Sequence, residues 1–418
     1  MNFFEWSAIL NLIFHPGVVS REKRNAEKAN KKTRNVSGYT YVDIPAVLTP
    51  ESYDNNMVIS GQYPHYRTMV LKNALWNCAC KSRPVIVLHQ GNTALESFVS
   101  QKIPDSVIIN STSKQFDPFK DFELWDINKI LMDVAGGHYN LNHAFQRLMN
   151  VVYELKMKQA TSAYKALTTC DLDLLYTVLD SKRKRNQITV NEYNKLNADL
   201  LNSQGEIITL SSLVWELKNR LSGIVGYTGD PHSILSAVQA QKIMLIDLKA
   251  ATNDTVRNLI FSSLALTADR GCQFSLVLDN VPFINNQHFI NFITNIPTNV
   301  SSIISADDYY STFNNKQELY TTIRSRATKV FLFQHSDNNT CEKWADYFGK
   351  YDKIEVVVTS GGLFMPDKID KRNIKEYRIL PTQIMNLKAN QAIIYNANAG
   401  VNGNSNELME TDKINDLL

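Results

Sequence analysis

Short apolar runs alternate with helical stripes along most of this chain. The runs Val85-Ile86-Val87-Leu88, Asp105–Asn110, Lys242–Leu248, Phe274–Asp279, Val300–Ala306, Lys329–Gln334, Ile354–Thr359 and Gln391–Tyr395 are rich in Val, Ile and Leu and end at turn residues. Runs of this length and composition predict buried strands. Between them, apolar positions recur at helical spacing in Arg67–Cys80, Thr93–Lys102, Glu123–Ala135, Thr252–Ala268, His288–Asn295, Lys316–Ser325 and Thr340–Gly349. Strands alternating with helices predict a largely parallel sheet with helices on both faces, an α/β fold. From about Asn140 to Leu221 the strand signal stops and amphipathic runs such as DLDLLYTVLDSK and VNEYNKLNADLLN take over. This predicts an all-α domain inserted between two halves of the sheet.

The expected organisation has five parts. Residues 1–35 form an N-terminal docking or membrane-proximal helix and a basic linker, and 36–139 the first part of the α/β domain, opening with short strands in YTYVDIPAVL and MVISGQYPHY. Residues 140–225 are the all-α insertion and 226–395 the second part of the α/β domain. Residues 396–418 are a polar tail, expected to be mobile with a short terminal helix.

Composition narrows this only a little. With 418 residues, 44% hydrophobic and 20% charged, the chain is an ordinary globular protein. A net charge of +3 does not by itself imply a nucleic-acid partner. Five cysteines form no paired framework, which fits a reducing compartment, and Cys78-x-Cys80 lacks zinc-ligand spacing, so no metal is expected. The apolar N-terminus MNFFEWSAILNLIFHPG is too short to span a bilayer and is followed, not preceded, by Arg21, Lys23, Arg24, Lys28, Lys31, Lys32 and Arg34, the reverse of a secretory signal. Two readings stand: a helix that docks on a partner subunit, or an interfacial helix touching anionic lipid.

The stretch PVIVLHQGNTALESF carries the first candidate chemistry. Strand, Gly-containing turn and helix start are the setting of the phosphate loop G-x-x-x-x-G-K-[ST], in which backbone N–H groups wrap phosphates and a Lys meets the β/γ charge. The best register places Gln90 and Leu95 at the two glycine positions, Glu96 at the lysine position and Ser97 at the Ser/Thr position, with Gly91, Asn92 and Thr93 between. A carboxylate in place of the ammonium turns an attraction of about 4 kcal/mol, at about 4 Å and an effective dielectric of 20, into a repulsion. Gln90 and Leu95 also carry Cβ atoms where the backbone must approach the phosphates.

The order of elements resembles the coupling-protein ATPases of conjugative DNA transfer and type IV secretion, within the RecA-like P-loop superfamily that includes FtsK and HerA translocases. The resemblance follows the order of elements over roughly residues 60–395 and is carried chiefly by Ile243–Tyr395, through KIMLIDLKAATNDTVRNLIFSSLALTADRGCQFSLVLDN, TTIRSRATKVFLFQHSDNNTCEKWADYFGKY, Phe364–Asp367 and ILPTQIMNLKANQAIIY. It implies a RecA-like sheet with an inserted all-α domain, and it places Asp279 at the Mg²⁺-holding Walker B position. The family has Glu next to that Asp; this chain has Asn280, which is no general base. Arg324 and Arg326 stand where ring motors place an arginine finger acting in trans; a pair of surface arginines on a helix end is the plainer reading. Lys182, Arg183, Lys184 and Arg185 are either a solvated helix end or contacts to nucleic-acid phosphates. His89, His288 and His335 are isolated in sequence and read as structural.

Together these features predict a catalytically degenerate coupling-protein-like subunit, structural or substrate-recruiting, of a DNA-transfer, secretion or mobile-element assembly. It would need no cofactor, would sit in the cytoplasm or at the cytoplasmic face of the membrane, and would have other subunits, and DNA, as partners in a homo- or hetero-oligomer. The alternatives are an active ATP-driven DNA translocase using ATP and Mg²⁺ at a divergent site, or a plain protein-interaction scaffold.

Overall fold

The computed structural model describes residues 3–34, 56–113, 115–134, 151, 172–202, 204–205, 208, 212, 215, 224, 231–251, 254–281, 287–313, 316–359, 368–388, 391–396 and 407–410. In chain order, α1 (Phe3–Arg34) precedes β1 (Met57–Ser60), α2 (Pro64–Cys80), β2 (Val85–His89), α3 (Thr93–Lys102), β3 (Val107–Ile109) and α4 (Leu124–Val134). There follow α5 (Leu172–Lys184), α6 (Val190–Asn202), α7 (Ile234–Gln239), β4 (Ile243–Asp247), α8 (Asp254–Asp269), β5 (Phe274–Asp279), α9 (Gln287–Thr294), β6 (Val300–Ala306), α10 (Tyr309–Thr312) and α11 (Gln317–Arg326). The chain closes with β7 (Lys329–Leu332), α12 (Asn338–Phe348), β8 (Lys350–Thr359), β9 (Lys368–Tyr377), α13 (Pro381–Met385), β10 (Gln391–Asn396) and β11 (Glu407–Glu410).

Two compact units divide the chain: Leu48–Val58 with Arg67–Arg326, and Met1–Val47 with Ile59–Tyr66 and Ala327–Leu418. The larger unit is built on parallel strands in the order β6-β5-β2-β4-β3. All five residues of β2 and all six of β5 are buried, as expected of strands covered on both faces. The chain leaves β2 on one side for β3 and β4 and returns on the other for β5 and β6. That reversal makes the carboxyl end of β2 a topological switch point, where open α/β sheets hold ligands. Helix α8 packs against α4, α7 and α9, and Phe261 stacks on Phe289 with ring centroids 3.8 Å apart. Between α4 and α7 the described elements are the helices α5 and α6. They pair through buried Leu175, Leu179, Leu196 and Leu200, spaced at the i, i+4 positions that share a helix face.

In the smaller unit β10 lies antiparallel to β7 and to β11. Gly61 has φ +151°, and a Cβ there would sit 2.4 Å from Cβ of Phe333, so close approach of the two backbones requires glycine. β8 and β9 form a separate two-stranded antiparallel sheet against which α1 packs.

Several sequence expectations change here. The segment Ile354–Thr359 is not a strand of the parallel sheet; it belongs to β8 and pairs with β9. The apolar pattern predicts no strand over KIDKRNIKEY, because only Ile369, Ile374 and Tyr377 interrupt its polar residues, yet it is β9. The stretch Arg21–Arg34, expected as a basic linker, is the second half of α1. In MVISGQYPHY only Met57–Ser60 is strand, since Pro64, suited to a first helical turn, starts α2. Within the tail Glu407–Glu410 is a strand; residues 397–406 and 411–418, which include the chain's end, lie outside the described residues. YTYVDIPAVL and Phe364–Asp367 lie outside the described residues, and the boundary between the two units at Arg326/Ala327 falls inside the stretch 226–395.

Candidate nucleotide-loop site

The site is set by strand register. β2 pairs with both β4 and β5 so that its last residue, His89, stands opposite Asp247 on one side and Asp279 on the other. Gln90, Gly91 and Asn92 then turn the chain into α3, and Asn92 is the N-cap. The turn is therefore three residues long, and Leu95, Glu96 and Ser97 already lie in the first turns of the helix.

The backbone donors of the turn and the Asn92 side chain are engaged by neighbouring side chains, while His89 Nε2, Gln90 Nε2 and Glu96 Oε1 are buried without a hydrogen-bond partner. The Gly91 N–H donates to Asp247 Oδ1 at 2.8 Å, and the Asn92 N–H donates to His89 Nδ1 at 3.0 Å. The Asn92 side chain bonds in three directions: Oδ1 accepts from the Leu95 N–H at 3.1 Å, while Nδ2 donates to Thr68 Oγ1 at 3.0 Å and to Asp279 Oδ2 at 2.7 Å. The other oxygen of Asp279 accepts from Ser305 Oγ at 2.8 Å. Asp279 is only 4% exposed, so these bonds replace water at a buried carboxylate. Gly91 has φ +71°, the left-handed turn conformation, and the aliphatic chain of exposed Lys249 runs over it, its Cδ 3.1 Å from where a Cβ would stand.

His89 is fully buried among three carboxylates. Its Nδ1 accepts the Asn92 N–H, which puts the proton of the neutral ring on Nε2, 3.4 Å from Glu96 Oε1. Burial pulls its pKa below the ordinary imidazole value, and Asp247, Glu96 and Asp279 oppose that pull. Glu96 Oε2 also accepts from Asn110 Nδ2 at 3.2 Å. Asn280 holds a left-handed φ of +51°; its N–H donates to the Ser305 carbonyl at 2.8 Å and its Oδ1 accepts from the Asp307 N–H at 3.0 Å. Asp307 in turn pairs with the buried Arg67 at 2.5 Å.

Of the sequence candidates, Gly91, Asn92, Glu96, Asp279 and Asn280 thus lie at this edge of the sheet, while Thr93 and Ser97 are exposed on α3. Arg324 lies elsewhere and donates to the Tyr310 hydroxyl at 2.7 Å; Arg326 is exposed at the end of α11. Lys182, Arg183 and Lys184 close α5 and Arg185 follows it; Arg183 covers the Tyr193 ring at 4.4 Å. Sequence reading took His89 as structural and did not name Asp247, Thr68, Ser305 or Arg67 as site residues. For His89 and Asp247 the signal was that the apolar runs VIVLH and KIMLID end in a polar residue, as FSLVLD does at Asp279; Thr68, Ser305 and Arg67 carried no such signal.

Phosphate oxygens need outward N–H donors and an ammonium, and Mg²⁺ needs an open carboxylate oxygen. Here the Gly91 and Asn92 N–H groups face Asp247 and His89, both Asp279 oxygens accept hydrogen bonds, and a carboxylate holds the lysine position. In this arrangement the residues present do not fit a nucleoside triphosphate with Mg²⁺.

No protein-family model and no curated protein sequence matches the chain. Solved structures share its fold. The bacterial conjugative coupling protein TrwB in its unbound form superposes with a TM-score of 0.55 at 13% identity, over 92% of this chain and 91% of that one. TrwB with the GTP analogue GDPNP gives 0.55 at 12% identity, over 91% and 92%, and TrwB with ADP and Mg²⁺ gives 0.53 at 13%, over 92% and 91%. The chain therefore has the RecA-type α/β fold of a conjugative coupling protein.

Proposed function

We propose that this chain, with the fold of a conjugative coupling protein, serves a DNA-transfer or secretion assembly as a structural or substrate-recruiting subunit that does not hydrolyse nucleotide. The observation that carries the reading is that the turn's backbone donors and Asp279 are already occupied by the protein's own side chains. The Asn92 amide bonds Asp279, and Glu96 stands beside His89 where a phosphate-binding ammonium would be required. The subunit would work in the cytoplasm among other subunits. The basic end of α5, Lys182–Arg185, would supply phosphate contacts to DNA. Exposed Arg326, rather than the tyrosine-held Arg324, is the better placed of the two arginines to reach a neighbour's nucleotide in trans.

Isothermal titration with MgATP tests this. No micromolar binding is expected, with or without DNA. Micromolar binding, or ATP turnover stimulated by DNA, would replace the proposal with the second reading, an active translocase with a divergent site. Lys249 is the observation that favours that reading, because its ammonium-bearing chain crosses Gly91.

A further inference from the structure

The β8–β9 hairpin has two edges, and the smaller unit closes only one of them. Asn30 of α1 bonds the backbone of Ile354 in both senses: the Ile354 N–H donates to Oδ1 at 2.7 Å, and Nδ2 donates to the Ile354 carbonyl at 2.9 Å. Its amide thus pairs with the outer side of β8 as a neighbouring strand's peptide would. Ile354 faces Asn373 in the ladder, so the Asn373 N–H and carbonyl also point out of the hairpin, on the far side. The Arg378 N–H donates inward, to the Gly349 carbonyl at 2.9 Å, which fixes the same alternation. The outward main-chain groups of β9 therefore belong to Ile369, Lys371, Asn373, Lys375 and Tyr377. Among the described residues β9 pairs with β8 alone, and these outward groups have no hydrogen-bond partner.

Lys371–Lys375 is exposed throughout, Ile374 included at 36%. An open edge is a template for another strand unless charges guard it. Here the edge lysines already meet counter-charges within the chain: Lys371 pairs with Glu22 at 2.7 Å and Lys375 with Asp352 at 2.8 Å. Arg372 makes no ion pair among the described residues. Edge pairing of two copies joins outward groups only when odd-numbered positions face odd-numbered ones, so the twofold axis must pass through one residue of the strand. An axis at Lys371, Arg372 or Lys375 sets that residue against itself, and one at Asn373 sets Lys371 against Lys375. An axis at Ile374 creates no like-charge pair. It sets Ile374 on itself, Arg372 against Glu376, Asp370 against Arg378 and Lys371 against Tyr377. Directly opposed residues share a face of the sheet, so each of these pairs can meet.

We propose that β9 is a self-association edge whose partner is β9 of a second copy of this chain, running antiparallel about a twofold axis at Ile374. The two hairpins then form one four-stranded sheet, with about eight backbone hydrogen bonds across the new seam. Arg372, unpaired in the single chain, reaches Glu376 of the second copy, and the symmetry makes this contact twice. Glu376 keeps its bonds from Lys353 and the Tyr351 hydroxyl, since a carboxylate accepts several donors. Helix α1, bonded to the outer side of β8, leaves the β9 edge clear. The inference is independent of whether the turn at Gly91 binds nucleotide.

Hydrogen exchange and sedimentation velocity of the full chain over a range of concentrations test it. The Lys371, Asn373, Lys375 and Tyr377 amides are expected to gain protection as concentration rises, while the Arg372 and Ile374 amides, bonded to β8, are protected throughout. Asn373→Pro removes an N–H that the single hairpin does not use, so the variant folds, and self-association weakens at least about tenfold. Arg372→Glu and Glu376→Arg each place like charges opposite one another at two positions and weaken self-association about thirtyfold. An equimolar mixture of those two variants restores opposite charges at both positions and regains the wild-type affinity. If a variant does not fold, the alternating exchange pattern of the wild type decides alone. Outward amides that exchange freely at every concentration would overturn the proposal and leave the edge to a strand of a different protein. So would wild-type-like association by folded Asn373→Pro, or a mixture that associates no better than its two components.

Discussion

Substitutions at Asn92 test the occupied turn most directly, because one carboxamide does two separable things there. Its Oδ1 caps α3 and its Nδ2 serves the buried carboxylate of Asp279. Removing an N-cap costs about 1 kcal/mol. Removing a hydrogen bond to a charged group costs about 1.5–3 kcal/mol. Asn92→Ala loses both, and about 3 kcal/mol of local stability is expected, the two losses not being strictly additive. Asn92→Ser keeps a capping oxygen but cannot reach Asp279, and about 2 kcal/mol is expected. Asn92→Asp also keeps the cap, but it places a second carboxylate where a donor now lies 2.7 Å from Asp279. Two like charges even at about 4 Å and an effective dielectric of 20 repel by about 4 kcal/mol, so this variant is the least stable at neutral pH. Native-state hydrogen exchange of the Leu95 and Glu96 amides reads the local opening of α3 directly. The expected order of protection is wild type, Ser, Ala, Asp. An Asp variant better protected than Ala at neutral pH, or a Ser variant equal to wild type, would refute the reasoning.

Two further outcomes follow from the same physics. Burial holds His89 neutral with a depressed pKa, so the unfolded chain binds the extra proton first as the pH drops. Its contribution to stability is fully present above the ordinary imidazole value of about 6.5 and is lost progressively below it, down through the folded value. His89→Gln therefore flattens the fall in thermal midpoint between neutral and mildly acidic pH, and identical slopes for variant and wild type would show that His89 is not the titrating group. Gly61→Ala drives a Cβ to 2.4 Å from Cβ of Phe333 at a φ of +151°. A loss of about 3 kcal/mol or more is expected, seen as a lowered thermal midpoint, and an unchanged midpoint would mean that the two backbones are not held this close.

The parts of this fold that sequence made legible are those where packing dictates residue type. β2, β4, β5 and β6 are buried on both faces, which forces continuous Val, Ile and Leu runs that no helix of that length needs. β9 was illegible for the opposite reason. Its residues are mostly exposed, so it is held by ladder hydrogen bonds to β8 and not by an apolar face, and a charged string such as KIDKRNIKEY leaves no periodic trace. The site divided in the same way. Gly91, Glu96 and Asp279 were found because each occupies a fixed offset from a strand end. His89 read as an isolated structural residue and Asp247 went unnamed because their importance comes from lateral register, which only the pairing of β2 with β4 and β5 reveals. Asn92 was named by position alone; that its side chain spans from the helix cap to Asp279 is a fact of three dimensions.

The placement of His89 between Asp247 and Asp279 has a consequence for how the turn can change by mutation. Exchanging Glu96 for Lys would set an ammonium beside a ring whose Nε2 carries the proton, while the Asn92 and Gly91 N–H groups stayed occupied. Freeing those groups requires replacing His89 or Asp247, and each replacement alone leaves a buried donor or acceptor of the turn without its partner. Each of these replacements thus gives up a hydrogen bond that the present turn makes. The turn is separated from a phosphate cradle by coupled substitutions, so sequences that keep this arrangement would diverge around it more readily than out of it.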